Sequence, residues 1–198
     1  FIYWPLGTIC PMIGQYLSSI GFSGTQVGII TSLGTGTAIA AGFIWGKVYS
    51  AASKKRLVLI VMCLGAAVFG FLNTKTDDFV IYSLMYFFQG PAHGIADALV
   101  LSKSDNYPVI RGMGAAGYAI ASFVVGKYAQ AKGLENIFYL YAIAFVIAVF
   151  FVIRESEPVF VKEEKSDVTI RVLFKNKMFT KLLLCAFLMT GTSIAHNT

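Results

Sequence analysis

Long apolar stretches, separated by short polar ones, run through the whole chain, and this alternation restricts the folds that it can adopt. A helix needs about 20 consecutive, mostly apolar residues to cross the hydrocarbon core of a bilayer. We therefore expect an all-α polytopic membrane protein whose helices are surrounded by the lipid bilayer. The stretches predict six membrane-spanning helices over residues 1–20, 24–49, 57–72, 79–101, 111–131 and 136–153, and the start of a seventh over residues 182–198.

The composition supports a membrane protein over a water-soluble one. Hydrophobic residues make up 57% of the chain and charged residues only 13%, whereas soluble domains carry roughly 25% charged residues. A soluble chain of 198 residues could not bury that much apolar surface. The cysteines at positions 10, 63 and 185 lie in apolar runs without metal-ligand spacing, so we interpret them as small buried side chains and expect no cofactor.

Positive charge is distributed unevenly between the two sides of the predicted helices. Of the 16 lysines and arginines, all but Lys75, Lys127 and Lys132 follow the even-numbered spans. Because cytoplasmic loops are enriched in such residues, the pattern predicts a cell-membrane protein, in bacteria the cytoplasmic membrane, whose N-terminus and segment 154–181 are cytoplasmic. It also accounts for the net charge of +6 without nucleic acid as a partner.

Local signals mark several helix ends and bends. Ser23 followed by Gln26 is a capping box at the start of the second span. Pro5 and Pro11 predict a bent first helix, because proline frees a backbone carbonyl inside a helix. Near the start of that helix, Tyr3 permits two interpretations, a pore-lining position or interfacial packing against lipid.

The fourth span carries three polar residues that share one helix face. Gln89, His93 and Asp97 are spaced by four residues, and Pro91 loosens the helix between them. An ionisable side chain in a membrane normally faces a bundle interior or a water-filled cavity. We therefore expect this stripe to line a solute cavity, although polar residues of this kind also join helices without further function.

The fifth span begins at Arg111, with Tyr118 two turns later on the same face. Arg111 is close enough in the predicted layout to pair with Asp97; it is equally typical of a basic residue that reaches the membrane surface. Gln15 in the first span is a further candidate for the cavity. The segment 112–117 matches the dinucleotide pattern GxGxxG, but within a membrane helix the small residues indicate helix packing.

The layout resembles the N-terminal half of a major facilitator superfamily transporter, in which two six-helix halves are joined by a long cytoplasmic loop. After the second span, Gly46 to Arg56 is similar to the basic gating loop of that superfamily, and Lys47, Lys54, Lys55 and Arg56 are its basic residues here. Ser50 and Ala51 stand where the superfamily has Asp and Arg. The resemblance implies that residues 154–181 are the inter-half linker and that 182–198 begin a second half.

From Asp97 to Gly126 the chain resembles the lactose permease branch and the related nucleoside and phenylpropionate permeases. That resemblance implies that Asp97 and Arg111 bind solute hydroxyls and that Tyr118 stacks on the solute. It further implies proton-coupled uptake, with a proton as the coupling ion and the second half as a partner.

Taken together, these features predict a secondary transporter for a small polar solute, a sugar, nucleoside or aromatic acid, and no enzyme. A drug exporter of the same fold and a membrane scaffold or sensor are the alternatives. The mixed charges of 154–181 fit an amphipathic surface helix or a regulatory partner site.

Overall fold

The computed structural model describes residues 2–76, 78–103 and 106–154, together with residues 178, 180, 181 and 185. All regular secondary structure in this part of the chain is helical, as predicted. The helices are α1 (Tyr3–Ile9), α2 (Ile13–Ser19), α3 (Gly24–Ala51), α4 (Lys55–Leu72), α5 (Phe79–Lys103), α6 (Tyr107–Lys132) and α7 (Asn136–Arg154).

Contacts divide the chain into two compact units, Phe1–Val159 and Phe160–Thr198, and the seven helices all belong to the first. The predicted linker 154–181 and the predicted seventh span 182–198 lie almost entirely outside the described residues. Of these two segments, residues 154, 178, 180, 181 and 185 are described, and each is helical.

The first predicted span is two short helices rather than one. A turn at Cys10–Met12 separates α1 from α2. Pro11 lies in this turn and lacks the backbone N–H that would continue the helical ladder, which explains the break. The turn leaves Cys10 exposed, so the prediction that all three cysteines are buried is wrong; Cys63 alone is buried.

The predicted capping box at the start of α3 is present, with Gln26 N–H donating to the Ser23 hydroxyl and the Gln26 side chain accepting from Ser23 N–H.

The boundary between α3 and α4 is shorter than the basic loop predicted over residues 50–56. Helix α3 continues through Ala51, and α4 begins at Lys55. Two of the four predicted gating residues, Lys55 and Arg56, are therefore in the first turn of α4.

Helices α5 and α6 are longer than predicted, and only residues 104–106 separate them. Helix α6 begins at Tyr107, with Pro108 in its first turn. Proline suits that position because its fixed φ matches the helix and its missing N–H would have no intrahelical partner there. Arg111 consequently lies one turn inside α6, not at its start.

The helices pack as a bundle in which α5 contacts α3 and α4, and α7 contacts α4 and α1. Helix α1 also packs along α6. The interior is filled by large apolar and aromatic side chains that are almost fully buried, including Leu59, Met62, Met85, Tyr141 and Phe145.

The outer faces of the bundle are apolar, as a bilayer requires. Phe43 of α3, Phe123 of α6 and Val146 of α7 are among many large exposed hydrophobic side chains. Four of the described helices, α3, α4, α6 and α7, are long and apolar enough to span a membrane. The polar stripe lowers the mean hydropathy of α5, and the broken α1 and α2 are each too short to cross a membrane alone.

Candidate functional site

The polar stripe of α5 contacts two different neighbours. Each four-residue step advances the side chain by about 40° beyond a full turn, since a helix has 3.6 residues per turn. Gln89, His93 and Asp97 therefore spiral around α5. Gln89 contacts α7, whereas His93 and Asp97 contact the start of α1.

Gln89 is a buried residue of the bundle core. Its side chain is 2% exposed, and the Tyr141 hydroxyl donates a hydrogen bond of 2.7 Å to its Oε1. Tyr141 is itself fully buried. A buried pair of this kind satisfies both polar groups and joins α5 to α7. This contact corresponds to the helix-joining interpretation of the stripe, and its predicted solute contact stays a prediction.

His93 connects α5 to the beginning of α1. Its Nε2 atom lies 3.0 Å from the carbonyl oxygen of Ile2, and its Nδ1 atom lies 3.1 Å from the carbonyl oxygen of Gln89, one turn back in α5. The imidazole also packs beside the Tyr3 ring, with ring centroids 5.5 Å apart. His93 thereby fixes the position of the first residues of α1.

Asp97 and Arg111 form an ion pair across α5 and α6 through the Oδ2 and Nη1 atoms. The Asp97 side chain is 25% exposed and that of Arg111 is 51% exposed. Exposed ion pairs contribute only about 0–1 kcal/mol to stability. The pair therefore contributes little to the stability of the fold.

Tyr3 is a third member of this cluster, and the sequence had left open whether it lines a pore or packs at the membrane interface. Its hydroxyl lies 2.8 Å from Asp97 Oδ1 and 2.7 Å from Asp97 Oδ2. Arg111 Nη1 donates to the same hydroxyl over 2.8 Å, and the guanidinium lies 5.7 Å from the centre of the Tyr3 ring. The Tyr3 hydroxyl thus bridges α5 and α6, which favours the pore-lining interpretation of this residue over packing against lipid.

Tyr107 completes the polar shell of the guanidinium. Its hydroxyl accepts a hydrogen bond of 3.1 Å from Arg111 Nη1, one turn further along α6. Side chains four residues apart are neighbours on a helix surface, so this contact is predictable from the sequence once α6 is known to begin at Tyr107.

These side chains form one wall of an open groove of ≈ 580 Å³ between α1, α5 and α6. Tyr3, Asp97, Tyr107 and Arg111 contribute the polar groups, and the rest of the lining is apolar or small. Ligand sites in proteins typically combine an apolar lining with a few convergent polar groups and occupy about 300–1,000 Å³. The groove has both properties.

The other predicted site residues lie outside the lining of this groove. Tyr118 is not among its lining residues, and its carbonyl oxygen accepts a hydrogen bond of 3.0 Å from the Ser122 hydroxyl. Gln15 is an exposed residue of α2. Among the gating-loop candidates, Lys47 and Lys54 are exposed.

The remaining two gating candidates contact helix ends. Lys55 Nζ lies 5.3 Å from the centre of the Tyr49 ring at the end of α3. Arg56 donates a hydrogen bond of 3.2 Å to the carbonyl oxygen of Ile153 at the end of α7. These contacts join the start of α4 to the ends of α3 and α7 on one side of the bundle. A gating role for Lys55 and Arg56 stays a prediction.

In the part of the chain that the structure describes, no three or more His, Cys, Asp or Glu side chains gather in a group that could hold a metal ion.

Comparison with known proteins gives a consistent assignment. The chain is 26% identical to the maltose permease of Geobacillus stearothermophilus over 206 residues, which cover 99% of this chain and 52% of the permease. It is 25% identical to an uncharacterized transporter, YwbF, of Bacillus subtilis (strain 168) over 209 residues, covering 100% of this chain and 52% of YwbF. The chain thus spans about half the length of the curated relatives that it matches. No solved structure matches it significantly.

A family model decides the assignment, because it matches nearly the whole chain. The model of the MFS_1 like family aligns with residues 1–197. This match confirms the predicted major facilitator resemblance and the all-α polytopic fold, and it agrees with the prediction that the chain is not an enzyme. The chain belongs to the MFS_1 like family of multi-pass membrane transporter proteins.

Proposed function

We propose that the protein containing this chain is a secondary transporter for a neutral, hydroxyl-rich solute such as a disaccharide, and that the groove between α1, α5 and α6 is half of its solute site. The observation that carries the proposal is the Asp97–Arg111 ion pair on the wall of an open groove. The maltose permease among the relatives supports the choice of a sugar.

The charges of the groove favour a neutral solute over an anion. Asp97 and Arg111 compensate each other, so the pair carries no net charge. Its carboxylate accepts hydrogen bonds and its guanidinium donates them. A sugar hydroxyl both donates and accepts, so it can bind both members at once, whereas an anion would be repelled by Asp97.

We propose alternating access as the mechanism, with this bundle rocking against a second one around the groove. Proton coupling is part of the proposal and rests on the resemblance to the lactose permease branch. The placement of basic residues supports a cell-membrane location in which the start of α1 and segment 154–181 are on the cytoplasmic side.

Uptake by the full-length protein in proteoliposomes tests the proposed function. With an inward proton gradient, labelled maltose should accumulate, and a protonophore should abolish the accumulation. Uridine, phenylpropionate and ethidium are the comparison solutes. Extrusion of ethidium without maltose uptake would favour a drug exporter, and transport of none of the four would favour a scaffold or sensor.

A further inference from the structure

The hydroxyl of Tyr3 occupies the position in front of the Asp97 carboxylate where a solute hydroxyl would bind. It is nearly equidistant from the two carboxylate oxygens, at 2.8 and 2.7 Å, and it also accepts from Arg111 over 2.8 Å. We propose that Tyr3 is a built-in competitor of the solute, which holds Asp97 and Arg111 in the empty site and is displaced when a solute hydroxyl binds. The inference rests on the proposed function and adds a specificity-determining residue to it.

The chemistry of the phenol supports this role. A tyrosine hydroxyl has one proton to donate and lone pairs to accept with, as a sugar hydroxyl does. In the structure it donates to Asp97 and accepts from Arg111, which are the two contacts proposed for the solute. Two hydroxyl groups cannot occupy the same position between these side chains, so a solute hydroxyl that makes both contacts at once competes with Tyr3.

The surroundings keep Tyr3 in place while the site is empty. On one side, a methyl group added at Gly114 would lie 2.8 Å from Cδ2 of the Tyr3 ring, so the ring sits directly against the α6 backbone. On the other side lies the His93 ring, which also holds the carbonyl of Ile2. Because Tyr3 belongs to the first turn of α1, its displacement would move the start of that helix.

Competition by Tyr3 predicts the direction in which the affinity changes. Removal of a residue that binds the solute weakens solute binding, whereas removal of a competitor strengthens it. Tyr3→Phe keeps the ring and removes only the hydroxyl. In the full-length protein it should lower the Kd for maltose about threefold to tenfold, the equivalent of one net hydrogen bond. An unchanged or higher Kd would overturn the proposal.

Two glycine variants test whether the affinity for maltose depends on the position of the Tyr3 hydroxyl and not only on its presence. Gly114→Ala keeps the hydroxyl but pushes the ring, so it should also lower the Kd for maltose. Gly112→Ala is the matched control, because an added methyl group there meets nothing within 4 Å and Gly112 does not line the groove. Its Kd should equal that of the wild type. Equal Kd values for Gly114→Ala and Gly112→Ala would count against the proposal.

A measurement without solute tests the same contact independently of the substrate. In the solute-free full-length protein, Tyr3→Phe should lower the Tm by about 1–2 °C, and by less when Asp97 is already alanine, because only the contact with Arg111 then remains. The same shift in both backgrounds would show that the hydroxyl is not held by Asp97, and would overturn the proposal. A wild-type protein that binds no maltose would instead contradict the proposed sugar, and the Tm comparison would still decide the role of Tyr3.

Discussion

Replacing Asp97 by Asn should lower solute uptake by the full-length protein on the order of 100-fold, because it leaves the Arg111 charge without its partner and replaces a charged acceptor of solute hydrogen bonds by a weaker neutral one. Arg111→Gln should have a loss of similar size. Both side chains lie on the wall of the groove and pair with each other. Since the pair is partly exposed, its loss should change the thermal stability far less than the uptake.

The same two helices offer matched controls for these variants. Asp78 precedes α5 and accepts a hydrogen bond of 2.8 Å from Val80 N–H, a contact that Asn can also make. Lys127 lies further along α6, with its Nζ 5.0 Å from the centre of the Phe123 ring. Asp78→Asn and Lys127→Gln should keep uptake within about twofold of the wild type, as expected for exposed charges. Wild-type uptake in both groove variants would refute the site assignment.

Gly7→Ala should destabilise the full-length protein by about 3 kcal/mol, a fall of roughly 3–4 °C in Tm for a protein about twice as long as this chain, because α1 and α6 are in backbone contact at this position. A Cβ atom on Gly7 would lie 2.3 Å from the carbonyl oxygen of Tyr118. The obstacle is backbone rather than a flexible side chain, so relief requires the two helices to separate. The Ser122 hydroxyl, which donates to the Gly7 carbonyl over 3.0 Å, would lose that contact as well.

Gly14→Ala is the control for this prediction, since it makes the same change in the other half of the broken first span. An added methyl group at Gly14 would meet only Val27 Cγ1 at 3.9 Å, an ordinary contact. Thermal unfolding of the purified variants measures the difference. If Gly7→Ala unfolds at the same temperature as Gly14→Ala, the close packing of α1 on α6 is not as described.

The helices were predictable because lipid imposes a simple rule on sequence. Apolar runs long enough to cross a bilayer predicted the bounds of α3, α4 and α7 to within a few residues, and the Ser23–Gln26 capping box predicted the start of α3. The pairing of Asp97 with Arg111 was also open to prediction, because an ionisable group in a membrane requires a partner and only a short loop separates the two helices.

Contacts between helices that are distant in sequence were not predictable in the same way. Tyr3 and Asp97 are 94 residues apart, and nothing in the apolar run around Tyr3 distinguishes a bound hydroxyl from an interfacial one. Likewise, the stripe on α5 reads as a single face, yet Gln89 binds Tyr141 while Asp97 binds Tyr3. Which neighbour each side chain meets depends on the packing of the bundle, and a single sequence does not carry that information.

Protection of a groove cysteine by solute tests most directly whether the groove is the solute site. Met113→Cys places a thiol in the groove, and Lys132→Cys places one at the exposed polar end of α6, outside the groove lining. The rate of N-ethylmaleimide labelling of each peptide can be followed by mass spectrometry in the full-length protein. At ten times the Kd, maltose should slow labelling at position 113 by about tenfold and leave position 132 unchanged. Equal labelling rates at position 113 with and without maltose, in a protein that transports maltose, would contradict the account.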